Sequence, residues 1–210
     1  MYQFSLIVIS IIPALSFFLI NVFIPGPNVL NTIAISMGSG RGSGISCAIA
    51  TGLGVFLTSL FALFGAALVF YNFPIIYQAL TIIGGTLLLY FAKIYIEKSF
   101  ILYKKIIFQK KINKKNAFKK AFLVLISNPK MMTTWIAVIS LFPIVTFNYQ
   151  NIIIFSLLSA LLSFTGHFFF ASIFSSQVAI NIYFKLYKSI NFFVGVGFIF
   201  YSLKLFAGLL

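Results

Sequence analysis

The stretch that decides the fold runs from Phe4 to Met37: FSLIVISIIPALSFFLINVFIPGPNVLNTIAISM. It is apolar almost throughout, yet Pro25-Gly26-Pro27 stands inside it. Its 34 residues would make a helix roughly 51 Å long, against about 30 Å of hydrocarbon in a bilayer. Two prolines remove amide donors and clash with the preceding turn, so a regular helix cannot pass through. A broken, bent or re-entrant segment resolves the excess length.

Outward from this stretch the same composition continues. Apolar residues make up 61% of the 210 positions and charged residues only 8%, where a soluble domain carries roughly a quarter charged. Further apolar runs follow at Gly44–Tyr71, Ile75–Ile96, Ala117–Phe147, Asn151–Ile180 and Ser189–Leu209. The expected fold is an all-α integral membrane protein of six transmembrane helices. Met1-Tyr2-Gln3-Phe4 has no positive n-region, so the first run reads as a retained helix rather than a cleaved signal.

The fourth run repeats the first. Ser127-Asn128-Pro129-Lys130 interrupts Ala117–Phe147, so the first helix of each three-helix half carries a Pro-centred break beside Asn. Three spans per half is an odd number, which inverts the second half relative to the first. The chain then divides into residues 1–96, a basic loop 97–116 and residues 117–210, a single transporter-like domain of two inverted repeats. Broken helices at corresponding positions of two halves are a recurrent feature of transporter binding sites, because they expose backbone amides and carbonyls within the membrane. Two ordinary proline kinks that shape packing are the plainer reading of each break taken singly.

Charge orients the chain. Fifteen Lys and Arg face one acid, Glu97, for a net charge of +14. Nine of the lysines fall between Lys98 and Lys120, which places that loop in the cytoplasm by the positive-inside rule. Arg41, Lys185 and Lys188 fall on the same side, both termini are external, and Lys204 is the exception. The basic clusters point to anionic lipid rather than nucleic acid. Phe100–Asn116 alternates apolar residues with Lys-Lys pairs, and reads either as an interfacial segment or as a solvated basic loop.

The lack of acids excludes paired-carboxylate catalysis, Asp-rich metal sites and Ser-His-Asp triads. One Cys47 and one His167 build neither a zinc site nor an internal disulfide. No enzyme activity, metal or cofactor is therefore expected. Gly40, Gly44, Ala48 and Gly52 recur every four residues, as do Ala50, Gly54, Thr58, Ala62 and Ala66. Such spacing lets helix backbones approach closely in lipid, and would suit a homodimer as readily as internal packing.

Several of these strings together resemble the lysine exporter (LysE/RhtB) family of amino-acid exporters. They are Pro25-Gly26-Pro27-Asn28, the Gly-rich Gly38 to Gly44, Gly52-Leu53-Gly54, Gly84-Gly85 with Tyr90-Phe91, and Ala117 to Lys130 ending in Asn-Pro-Lys. The resemblance implies proton-driven efflux of amino acids or close derivatives across a bacterial inner membrane. Carried over by position, Pro25, Gly26, Pro27, Asn28, Asn128, Pro129 and Lys130 would mark the substrate site. The fifth span of that family often carries an acid; here the region reads Ser163-Phe164-Thr165-Gly166-His167-Phe168.

Without an intramembrane carboxylate, His167 is the candidate proton carrier, its unperturbed pKa lying near 6.5. Ser159, Ser163, His167, Ala171 and Ser175 recur every four residues and form a small polar stripe on one helix face. A neutral His held only for packing is the alternative. Lys130 either attracts a substrate carboxylate or neutralises backbone carbonyls freed by the break. Two other functional classes remain on such a scaffold: export of a small ion or metal, and a non-transporting membrane assembly factor.

Overall fold

A computed structural model describes residues 2–24, 26–72, 75–100, 111–174 and 176–207. They form eight α-helices: α1 (Tyr2–Phe23), α2 (Pro27–Ser39), α3 (Arg41–Asn72), α4 (Ile75–Phe100), α5 (Lys114–Ile126), α6 (Pro129–Leu141), α7 (Tyr149–Ile173) and α8 (Gln177–Ala207). A 3-10 turn, Pro143–Thr146, joins α6 to α7, and no strand occurs among the described residues. Arg41–Leu68, Tyr149–Ile173 and Lys185–Lys204 are each long and apolar enough to cross a bilayer. Two further spans arise if each broken pair counts as one, α1 with α2 and α5 with α6. The run at Ile75–Ile96, expected as a sixth span, is part of the continuous helix α4. Phe61, Leu68, Phe193 and Phe200 are largely exposed, the outward face of a protein whose solvent is lipid.

Both predicted breaks are present. The helix axis turns by 48° between Ile11–Phe23 and α2, and by 51° between α5 and Lys130–Leu141. Each new helix starts with proline at its first position, where the missing N–H would have had no partner in any case. Gly26 caps α2 in an extended conformation. Asn128 caps α6, its Oδ1 accepting from the Lys130 N–H at 3.0 Å, which satisfies one orphaned amide. Pro13, standing alone, leaves α1 continuous.

Helix α3 lies at the centre, and its two small-residue rows face different partners. A Cβ on Gly44 would press on Ser36 of α2 and come within 2.8 Å of Ala171 Cβ on α7. On Gly52 it would lie 3.0 Å from Phe164 Cβ and 3.2 Å from the Ala160 carbonyl, both on α7. The second row meets α5 and α6: Gly54 faces Leu125, and Thr58 accepts from Trp135 Nε1–H at 3.2 Å. Cys47 is buried and its thiol reaches the Ala117 carbonyl of α5. The small residues serve packing within the chain.

Helices α4 and α8 form a second, antiparallel pair. Gly85 leaves 2.7 Å between a notional Cβ and Phe206, and Gly195 leaves 2.5 Å to Ile96. Ser202 Oγ–H donates to the Gly85 carbonyl at 2.9 Å, and the Tyr95 and Phe198 rings meet edge to face.

Three boundaries differ from the sequence expectation. Helix α7 stops at Ile173, short of Ile180, and α8 starts at Gln177, well before Ser189. Lys185 and Lys188 are thus exposed residues of a helix rather than of a loop; with Asn181 exposed on the same face, i, i+4, i+7 spacing lets a polar-faced helix run on beyond its apolar core. Lys114 to Lys120 are helical, while residues 101–110 of the proposed interfacial segment lie outside the described residues.

Candidate functional site

The two breaks meet at Lys130. This side chain leaves the first turn of α6 and is 9% exposed. Its ammonium donates to the carbonyls of Asn21 at 3.0 Å and Ile24 at 3.2 Å, at the end of α1. The last carbonyls of a helix have no intrahelical donor. For Asn21 the cause is covalent: its i+4 residue is Pro25, which has no N–H. One helix break therefore creates acceptors, and the other supplies the cation that fills them.

Gly26 makes this contact possible. A Cβ there would stand 3.2 Å from Lys130 Cδ, 3.4 Å from Nζ and 3.7 Å from the Tyr95 hydroxyl. The Lys130 carbonyl accepts from Thr134 Oγ1–H at 2.7 Å, a further tie on the first turn of α6.

Around Lys130 lies a small cavity of about 30 Å³ with Gly26, Asn28, Asn128, Ser163 and His167 in its wall. Asn21 and Thr134 also line it, and the rest of the wall is apolar, including Phe18, Val22, Val55, Leu125 and Met131. That volume holds about two waters at most, so the chain is closed around its polar centre. The Phe18 ring stacks on Trp135 at 5.3 Å, which ties the wall to α6.

His167 is 3% exposed. Its Nδ1–H donates to the Ser163 carbonyl at 2.9 Å, since a carbonyl can only accept. The neutral ring consequently presents a lone pair at Nε2. Nε2 is buried without a hydrogen-bond partner, as is Oδ1 of Asn28. Buried polar atoms are nearly always satisfied, so two open acceptors in one cavity wall mark it as a place for a donor.

Of the residues singled out in the sequence, Gly26, Asn28, Asn128, Lys130 and His167 converge on this cavity. Pro27 is exposed at the start of α2, where it opens the helix. Pro129 begins α6, and Pro25 lies outside the described residues. Ser159, Ser163, His167 and Ala171 of the polar stripe are all buried; Ser175 lies outside the described residues. Sequence reasoning passed over Asn21, although an asparagine in an apolar run four residues before a proline is the signal for an orphaned carbonyl. Glu97 sits away from the site on α4, 60% exposed and paired with Lys93 at 3.9 Å. No group of three or more His, Cys, Asp or Glu able to hold a metal occurs among the described residues.

A family model described as LysE type translocator matches residues 19–208, a stretch that takes in both breaks and every cavity residue but Phe18. A search of curated proteins finds no match, and neither does a search of solved structures. The chain belongs to the LysE type translocator family, and is a multi-pass membrane transport protein.

Proposed function

We propose that the chain is an efflux permease for amino acids or close derivatives, driven by the proton gradient across a bacterial inner membrane. One observation carries the reading: the two helix breaks converge on a closed cavity with one ammonium and two open neutral acceptors. A zwitterion needs a cation for its carboxylate and acceptors for its ammonium, and such a cavity offers both. Lys130, already bonded to the end of α1, would exchange those carbonyls for the cargo carboxylate. Loading the site would then release α1 from α6.

The proposed frame is six spans in two inverted halves, residues 1–96 and 117–210, joined by a basic cytoplasmic loop with both termini outside. Packing supports it. Just before the first break, Val22 fills the space at Gly166 of α7; just before the second, Leu125 fills the space at Gly54 of α3. Each broken helix thus presses an apolar side chain into a glycine on the middle helix of the other half. Lys114, Lys115, Lys119 and Lys120 are exposed on α5, where they would rest against anionic headgroups.

His167 is the proposed proton carrier. Its Nε2 takes either a proton or a donor hydrogen from the cargo, and the charged group sharing its cavity wall is Lys130. Such competition at one nitrogen would give antiport. The test is efflux from proteoliposomes holding a mixture of labelled amino acids, with and without an imposed pH gradient. Gradient-accelerated release of at least one amino acid is expected. Release unaffected by the gradient would refute proton coupling, and no release of any amino acid would refute the proposed cargo.

A further inference from the structure

We infer that the cargo is a zwitterion with an uncharged, apolar side chain, its carboxylate on Lys130 and its ammonium on Asn28 Oδ1 and His167 Nε2. The inference rests on the export reading above and narrows it by charge and by polarity.

Charge decides first. The chain has a single acid, Glu97, which is exposed on α4 and engaged with Lys93. No carboxylate lines the cavity. A basic amino acid would bring a second positive charge into a buried wall that already holds the Lys130 ammonium. A buried charge without a counter-charge costs several kcal/mol. An acidic amino acid would bring two carboxylates to one lysine, and the second would stand unpaired. A net-neutral cargo adds no net charge to the wall.

The acceptors then place the ammonium. Asn28 Oδ1 and His167 Nε2 are both buried and both open, one on α2 and the other on α7. An ammonium has three donors; two can satisfy these atoms. Lys130 balances the cargo carboxylate, so the ammonium held by the two neutral acceptors leaves the wall with the same single positive charge it carries when empty.

Polarity decides the side chain. With those groups engaged, the larger part of the wall that remains is apolar, with Phe18, Val22, Val29, Val55, Leu125 and Met131 in it. Of its polar members Asn21, Asn128, Thr134 and Ser163, the Thr134 hydroxyl and Asn128 Oδ1 are already bonded to Lys130. A hydroxyl or amide turned toward the apolar part would lose its water without gaining a partner. An aliphatic or thioether side chain loses nothing comparable.

The experiment is counterflow in proteoliposomes of the full chain, with external labelled leucine exchanged against internal leucine, methionine, serine, lysine or glutamate. Exchange between equal pools needs no proton gradient, so it reads the site and not the coupling. Leucine and methionine should exchange at least tenfold faster than lysine or glutamate, and several-fold faster than serine. Lysine exchange as fast as leucine would overturn the inference while leaving export standing. Serine as fast as leucine would overturn its apolar clause. If no amino acid exchanges, the export reading itself falls, and the inference with it.

Two variants test the acceptors. His167→Leu should raise the half-saturating leucine concentration about tenfold, the worth of one hydrogen bond to a charged donor. His167→Gln, which restores an acceptor, should recover most of that loss in counterflow even where gradient-driven efflux stays abolished. Equal affinity in His167→Leu and the native chain would overturn the ammonium site. Binding is read independently of transport from Trp135, the sole tryptophan, which stacks on the cavity residue Phe18; leucine should change its emission and lysine should not.

Discussion

Replacing Lys130 by methionine keeps the stem and removes the ammonium. Two charge-assisted hydrogen bonds to the end of α1 disappear, each worth about 1.5–3 kcal/mol. Against this, the chain no longer buries an ammonium within a span, which costs about 2.5–3.5 kcal/mol on insertion scales. The losses and the relief nearly cancel, and leave about 1–2 kcal/mol of net destabilisation. For a chain of this size that lowers the midpoint of thermal unfolding by about 2–8 °C, readable by Trp135 fluorescence in detergent. Transport should suffer far more, because the cargo carboxylate loses its partner: about 10- to 100-fold in leucine counterflow. Lys130→Arg keeps the charge but crowds Gly26, where only 3.2–3.4 Å separates a notional Cβ from the lysine; intermediate exchange is expected. Undiminished counterflow in Lys130→Met refutes the carboxylate site. A loss beyond about 5 kcal/mol with native-like exchange in the surviving fraction would show the lysine to be a structural strut alone.

Four further outcomes can be checked in the same preparation. Gly44→Ala should destabilise by about 1–3 kcal/mol, because its Cβ meets Ala171 Cβ, which cannot swing aside. Gly54→Ala should stay within about 1 kcal/mol, since it meets only the tip of Leu125 and gains helix propensity. Asn128→Ala should cost about 1 kcal/mol through loss of the α6 cap, and Asn128→Ser should restore most of it; thermal unfolding decides both. A double-mutant cycle on Thr58→Val and Trp135→Phe should give a coupling near 0.6 kcal/mol, typical of a hydrogen bond between membrane helices, and zero coupling would mean that the bond does not hold in solution.

Local chemistry made the breaks legible. Pro27 and Pro129 open their helices where a proline cannot continue one, and the small-residue rows of α3 face helices as their spacing requires. The serine and histidine stripe of α7 is buried for the same reason: a polar row on an otherwise apolar helix turns away from lipid. What stayed hidden was long-range. Lys130 lies 109 residues from Asn21 and 106 from Ile24, and nothing local tells a lysine whether a cargo or a backbone carbonyl awaits it. The start of α8 was missed because Asn181, Lys185 and Lys188 look like a polar loop until they are placed on one helix face. The open acceptors at Asn28 and His167 are a property of the assembled cavity, since hydrogen-bond vacancy has no signature in one dimension.

The meshed glycines of α4 and α8 limit how the machine can move. With Phe206 seated at Gly85 and Ile96 at Gly195, α4 and α8, the last helices of the two proposed halves, are geared together, and axial slip would drive side chains into backbone. The pair would act as a crossbar between the proposed halves. Two shells hinged freely apart are then mechanically unavailable. Motion is left to the short inner levers α2 and α6, already jointed at Gly26 and Asn128, with α6 latched to the end of α1 by a single lysine.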